Sequence, residues 1–298
     1  MIFFLTKKYF LPLRLETIFS NFQVLENNSK LIDIENIIKT KNPSLYNKLP
    51  RFVLGLLKKI ICQDQINRLL TLYGDLYGID FIDAVFKDLN IKINCYGLEK
   101  LDKQTRYVFT ANHPLGGIDG LAVIKSVNKN FKKATAVVNE LLLNIDNLKP
   151  VFCGINVYGH ASEKNANDIQ QLFQSQDDIC VFPAGLCSRK INGKIQDLPW
   201  KKNFIDKAVE NNLAIVPIFV EAYNSNFFYN TAAIRKKIGI KFNYELILLP
   251  SEVFKFKNKE INLYFLEPIL PETLRQIKNK QARAEFVRKK TYSAKQQE

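Results

Sequence analysis

Apolar positions follow two regimes along the chain, with the change near Asn90. Over residues 33–89 they recur at three- and four-residue steps, as Ile34, Ile37 and Ile38 and then Leu54, Leu57 and Ile61. Such spacing gathers them on one face of an amphipathic helix. Asn42-Pro43-Ser44 and Leu49-Pro50 punctuate the pattern, and 73–80, with Gly74 and Gly78, reads as a turn. A small helical bundle leading into a sheet is expected there. Beyond Asn90, short apolar runs rich in Val, Ile, Phe and Tyr alternate with helical patterns. Strands are predicted over 91–96, 107–111, 134–138, 151–157, 179–182, 214–220, 244–249 and 261–265, and helices over 119–128, 165–174 and 201–211. Alternation of this kind predicts an α/β fold, a mostly parallel mixed sheet flanked by helices on both faces. In such sheets the chemistry sits at the carboxyl ends of the strands.

After Pro271 the chain becomes charged and helix-prone over 272–290. The expected organisation is an N-terminal extension (1–32), a helical region (33–89), an α/β body (90–270) and a basic helical tail (271–298). No internal repeat or low-complexity linker marks the boundaries.

Composition narrows the partners. With 298 residues, 47% of them hydrophobic, the chain can bury a sizeable core. A net charge of +14 suits either nucleic acid or an anionic membrane face. Zinc-finger spacing, a heptad-plus-basic region and an aromatic RNP-like block are all missing, and the phenylalanines sit among aliphatics. A membrane surface is therefore the expected partner, with no nucleic acid. Five cysteines (Cys62, Cys95, Cys153, Cys180, Cys187) without a CxxC pair point to thiols in a reducing compartment and to no metal site. No run of eighteen apolar residues supports a conventional transmembrane helix. The first 22 residues mix aromatic and aliphatic side chains with Lys7, Lys8 and Arg14, and the lysines follow the apolar run instead of preceding it. An interfacial anchor is expected, with a packed arm or an upstream extension as alternatives. The basic tail is either a solvated face or a contact for anionic headgroups.

Candidate chemistry concentrates in YVFTANHPLGGIDG, residues 107–120. A strand ends at Asn112-His113, a Pro and two glycines follow, and Asp119 opens a helix. Two ionisable side chains are thus expected at the mouth of a sheet. A neutral imidazole held by a carboxylate can take a proton from a hydroxyl, because the carboxylate fixes the tautomer and stabilises the imidazolium. The chain holds only two histidines. On spacing alone a turn histidine and an N-capping aspartate are the commoner account of such residues.

These residues resemble the first motif of the glycerolipid acyltransferase family, usually His, four residues, Asp. Here five residues intervene: Pro114, Leu115, Gly116, Gly117 and Ile118. Two glycines can absorb one extra residue, since they reach positive φ cheaply. NHPLGGIDG is similar to the bacterial branch labelled hemolysins or O-acyltransferases of ornithine- and glycine-type lipids. ICVFPAGLCSR, residues 179–189, resembles the family's Phe-Pro-Glu-Gly block, with Ala184 in place of Glu. AIVPIFV, residues 214–220, resembles the last block, which lines the acyl channel. GINVYGH, residues 154–160, occupies the interval of the second block without its arginine. Leu198-Pro199-Trp200, Phe204, Ala208 and the run 221–225 match the same branch, and the similarity extends over about 32–268.

The resemblance implies an O-acyltransferase that moves a fatty acyl group to the hydroxyl of a lyso-lipid. Acyl-carrier protein or coenzyme A would deliver that group as co-substrate, with no cofactor. It implies His113 as general base and Asp119 as its orienting partner. Substrate contacts are expected from Asn112, Gly116, Gly117, Phe182, Pro183, Gly185, Ser188, Arg189 and Pro217. The oxyanion would meet backbone N–H groups of the Gly116–Gly117 turn or of the turn after Phe182. Arg189, helped by Ser188 and Lys190, would clamp an acidic group of the acceptor or donor. Cys187 is either a small apolar filler or half of a Cys–His dyad, and His160 is a loop residue. Absence of the family's Glu and Arg favours a lyso-amino-acid lipid of the N-(3-hydroxyacyl) ornithine or glycine type over lysophosphatidate. A protein of another class, a non-enzymatic basic membrane binder or a hemolysin, is the competing expectation. The implied location is peripheral, on the cytoplasmic face of the inner membrane.

Overall fold

The computed structural model describes residues 31–139, 142–143, 145–155, 163–240 and 243–296. The expected anchor and His160 lie outside them. The helical region forms α1 (Ile34–Lys41), α2 (Pro43–Lys48), α3 (Arg51–Ile60), α4 (Gln63–Tyr73) and α5 (Gly78–Asp88). The punctuation acts as read. Asp33 caps α1 by accepting from Glu35 N and Asn36 N, and Asn42 caps α2 with Pro43 in its first turn. Ile34, Ile38, Leu45 and Leu54 make a small cluster of their own. Leu69 of α4 and Phe81, Ile82, Val85 and Phe86 of α5 instead join the main core.

The strands are β1 (Lys92–Tyr96), β2 (Tyr107–Ala111), β3 (Ala134–Asn139), β4 (Phe152–Ile155), β5 (Asp178–Val181), β6 (Arg189–Ile191), β7 (Lys194–Gln196), β8 (Ala214–Glu221) and β9 (Glu260–Phe265). Seven of them form one sheet in the order β1-β9-β8-β2-β5-β3-β4, and β6 and β7 form a separate ribbon. Only the β8–β9 pairing is antiparallel, so the sheet is mixed but mostly parallel, as expected. β2 and β5 are buried along their whole length. That is the condition of parallel strands covered on both sides. Alternation along β2 sends Phe109 and Ala111 into one core, with Phe86, Ile118 and Ala122, and Val108 into the other, with Phe173, Trp200 and Ile205. The covering helices are α6 (Ile118–Asn130), α7 (Glu163–Gln174), α8 (Asn203–Glu210), α9 (Asn226–Lys237), α10 (Leu249–Lys255), α11 (Pro271–Gln276) and α12 (Lys280–Tyr292).

Two expectations are corrected. The run 244–249 is not a strand: Tyr244–Leu248 makes a 3-10 turn that feeds α10, with Pro250 in the first helical turn. A four-residue apolar run fits a buried helix as well as a strand, and Pro needs no N–H partner at a helix start. The tail is two helices, broken where Asn279 caps α12 by accepting from Ala282 N. It also has a buried face, since Ala284, Val287 and Thr291 are enclosed. Arg283 and Arg288 turn inward, to Asp206 and to Asp197 O, while Lys289 and Lys290 stay exposed.

Candidate active site

β2 ends at Ala111, and the next side chain continues its ladder. Asn112 Nδ2 donates to Val220 O at 2.9 Å, and Val220 N donates to Asn112 Oδ1 at 2.6 Å. A primary amide presents one donor and one acceptor in the geometry of a peptide group, so it pairs with β8 as backbone would. His113 follows at the carboxyl end of the strand. Its main chain is held on both sides: N donates to Asp197 Oδ1 at 3.2 Å, and O accepts from Ser188 N at 2.8 Å. The loop after it turns at Gly116, whose φ is +75°. A Cβ there would stand 2.7 Å from Cys187 Cβ, so the turn requires glycine for space as well as for φ. Asn224 closes the loop from outside, donating to the carbonyls of Pro114 and Leu115.

Asp119, fully buried in the first turn of α6, collects four donors. His113 Nδ1 lies 3.1 Å from Oδ2, which also accepts from Leu115 N at 2.9 Å, while Oδ1 accepts from Gly117 N and Gly120 N at 3.0 Å. Burial alone would push this carboxyl up, but the imidazole and the backbone N–H groups outweigh it and hold it below the usual range. Burial would likewise push the imidazole down. The Asp119 charge and hydrogen bond, with Asp197 behind them, raise it above the ordinary value instead. With Nδ1 tied to the carboxylate, Nε2 is the ring nitrogen left to accept a proton. The His113 side chain is 17% exposed, and the Phe182 ring lies against it with centroids 4.5 Å apart.

Phe182 opens the second loop at the end of β5. Pro183 follows, and Gly185 N donates to Phe182 O at 2.9 Å, closing a β-turn with Gly185 at φ +69°. Beyond it, β6 and β7 are joined through Asn192 (φ +49°) and Gly193 (φ +79°), a two-residue hairpin turn. The register pairs Arg189 with Gln196, so Ser188 and Asp197 meet across the open end of the ribbon. Ser188 Oγ donates to Asp197 Oδ1 at 2.5 Å, and Trp200 Nε1 donates to Oδ2 at 2.9 Å. Among the described residues no helix is long and apolar enough to cross a membrane.

A family profile described as Acyltransferase matches residues 36–297, nearly all of the described chain. The chain belongs to the acyltransferase family. Two curated relatives, from Bacteroides thetaiotaomicron and Phocaeicola vulgatus, are named lyso-glycine lipid O-acyltransferase. Each is 40% identical over 263 residues, 88% of this chain, and the match spans 97% and 94% of the relatives. Among solved structures, the 1-acyl-sn-glycerophosphate acyltransferase PlsC of Thermotoga maritima superposes with a TM-score of 0.42 at 15% identity, over 99% of this chain and 93% of that one.

In this acyltransferase His113, Asp119, Gly116, Phe182, Pro183 and Gly185 come together at the ends of β2 and β5. Other expected site residues serve the scaffold. Asn112 is spent on β8, and Ser188 is buried on Asp197. Pro217 pairs opposite Thr110 inside the sheet and accepts from Leu266 N. The N–H groups of Gly117 and Gly185 are taken by Asp119 and by Phe182 O, so neither can serve an oxyanion as expected. Gly116 N–H has no partner among the described residues. Burial pushes the Cys187 thiol up to about 11, and Arg189 Nη1 lies 2.9 Å from its Sγ, an environment that suits a neutral filler.

Arg189 is the main correction. Its guanidinium donates to Cys187 O at 2.8 Å and to Glu245 Oε1 at 2.9 Å, and Glu245, fully buried, is also paired with Arg235 at 2.8 Å. Such a group braces the second loop against α9 and is not free to clamp an acceptor. Arg189→Ala is expected to destabilise the fold by about 3 kcal/mol, the low end for a broken buried pair because Arg235 remains on Glu245. Denaturant unfolding checks this, with acceptor KM close to wild type at temperatures where the variant is folded.

Sequence reasoning missed two residues. Asp197 directly precedes the Leu198-Pro199-Trp200 match, and the Asn192-Gly193 dipeptide between alternating residues is a hairpin signal that places it opposite Ser188. Lys201 continues the same run. Its backbone N donates to Pro183 O at 2.9 Å, and its Nζ lies 3.1 Å from where a Cβ on Gly185 would stand.

Proposed function

We propose that this acyltransferase esterifies the hydroxyl of a lyso-glycine lipid, an N-(3-hydroxyacyl) glycine, with a fatty acyl group from acyl-carrier protein or coenzyme A. The carrying observation is the His113–Asp119 contact at 3.1 Å, with the imidazole partly open beside Phe182. His113 Nε2 takes the hydroxyl proton as the oxygen attacks the thioester carbonyl. Gly116 N–H is the donor left in the first turn for the tetrahedral oxyanion. Collapse breaks the C–S bond, and the imidazolium returns its proton to the leaving thiolate. No covalent acyl-enzyme is needed. The names of both relatives support this acceptor, and the acyltransferase profile supports the class of reaction.

Lys201 takes the place that Arg189 vacates. Its exposed ammonium has no ion pair among the described residues and stands over Gly185, one turn from the His113–Phe182 contact, where an acceptor's carboxylate could reach it. Peripheral membrane docking fits exposed apolar side chains at helical spacing on α3, with Phe52 61% and Leu56 42% exposed. The cytoplasmic leaflet of the inner membrane is the proposed surface.

Purified protein assayed with one acyl donor against lyso-glycine lipid and lysophosphatidate tests the reading. Turnover on the glycine lipid is expected, and turnover on the phosphate acceptor alone would overturn it. In the same assay Lys201→Ala should raise acceptor KM about tenfold, equivalent to roughly 1.4 kcal/mol, with kcat nearly unchanged.

A further inference from the structure

Asp197 is a buried carboxylate that the mechanism does not use. It is 1% exposed, yet it accepts from three groups: His113 N, Ser188 Oγ and Trp200 Nε1. Ser188 closes the circuit, because its own N–H holds His113 O at 2.8 Å. The peptide units on both sides of His113 are therefore fixed by one carboxylate and its serine. Asp197 is itself held by the last helix: its N–H donates to Tyr292 Oη at 2.8 Å, and its carbonyl accepts from Arg288 Nη2 at 3.1 Å. Among the described residues, no other pair of groups holds both sides of the His113 main chain. We infer that Asp197 is a positioning residue for the catalytic base, gripping the His113 main chain so that the imidazole is aimed at the acceptor, with Tyr292 and Arg288 of α12 setting its place.

The chemistry gives the grip its consequence. A base must stand within hydrogen-bond reach of the proton it removes, and a displacement of about 1 Å can lower a rate by roughly 10²-fold. The imidazole's orientation comes from Asp119 on the ring, but its position comes from the backbone. A carboxylate with three donors can hold that backbone where an amide cannot: an asparagine would set its NH2 against either Trp200 Nε1–H or the Ser188–His113 pair. Asp119 and Asp197 are the two carboxylates whose charge reaches the imidazole, and Asp197 adds to the rise of its proton affinity.

The inference rests on the proposed general-base reading, so its test keeps the two apart. Steady-state kinetics of wild type, His113→Ala, Asp197→Asn and Tyr292→Phe are measured with lyso-glycine lipid across pH. Alongside, the His113 imidazole is titrated by NMR in wild type and Asp197→Asn, with His160→Gln to assign the two histidine signals. Retained turnover in His113→Ala defeats the general-base reading itself; the titration needs no acceptor and still reports on Asp197. For folded Asp197→Asn, kcat is expected to fall roughly 10–100-fold with acceptor KM within about twofold, and the His113 titration should move to lower pH. Wild-type kcat, or a loss confined to KM, overturns the assignment. Should Asp197→Asn fail to fold, Tyr292→Phe decides, since it removes only the hydroxyl under the Asp197 N–H. A fall in kcat of about threefold or more at constant KM supports the inference, and wild-type kcat and pH profile overturn it.

Discussion

Replacing His113 with alanine is expected to lower kcat by about 10²–10⁴-fold, the range a positioned general base contributes. The protein should keep its stability, because the imidazole is not part of a close-packed core. It is 17% exposed and touches the Phe182 ring and Asp119. Acceptor KM should change little, since proton removal matters only as the new bond forms. A single-turnover assay on lyso-glycine lipid, with thermal unfolding as control, measures both. Full turnover in this variant would remove the base from the mechanism.

Asp119→Asn is expected to be nearly as severe, roughly 10²–10⁴-fold in kcat, for two separate reasons. An asparagine NH2 facing Nδ1 favours the tautomer with the proton on Nε2, and Nε2 then has no lone pair for the hydroxyl. The substitution also removes acceptor capacity from a group that receives Leu115 N, Gly117 N and Gly120 N. The residual activity should carry a signature in pH. His113 must be neutral to act, and its proton affinity stands above the ordinary imidazole value, so the acid limb of kcat/KM should lie above about pH 6.5. Burial, the largest influence, pulls that affinity down, and the Asp119 charge is what reverses it. With the charge gone, the acid limb should move to lower pH. A kcat/KM profile measured between roughly pH 5 and 9 decides it.

The His113–Asp119 contact was legible because it is local. His113 and Asp119 belong to one strand–turn–helix unit, and strand ending, glycine turn and helix start are all written in seven consecutive residues. The extra residue in the motif is absorbed at Gly116, as two adjacent glycines suggested. The fold class was legible for a similar reason, since the alternation of short apolar runs with helical patterns survives small errors at element ends. What stayed hidden depends on partners far along the chain. Arg189 reads as a free cation until Glu245 arrives from 56 residues later. The run around Leu246 reads as a strand until Glu245 beside it is drawn under two arginines. Asp197 gained its meaning from Tyr292, 95 residues on, and Asn112 from Val220, 108 residues on. Side chains that act on nearby backbone leave a trace in spacing; those satisfied across the fold leave only their chemical type.

The amide of Asn112 has one more implication, for assembly of the enzyme. Because that side chain zips into β8 immediately before the histidine, closing the centre of the sheet and arming the reaction are a single event. A nascent chain whose later strand has not been synthesised possesses every residue of the His–Asp pair but has no frame to hold it at working height. On the general-base reading proposed above, acyl transfer should therefore wait until the polypeptide beyond Val220 has emerged and docked.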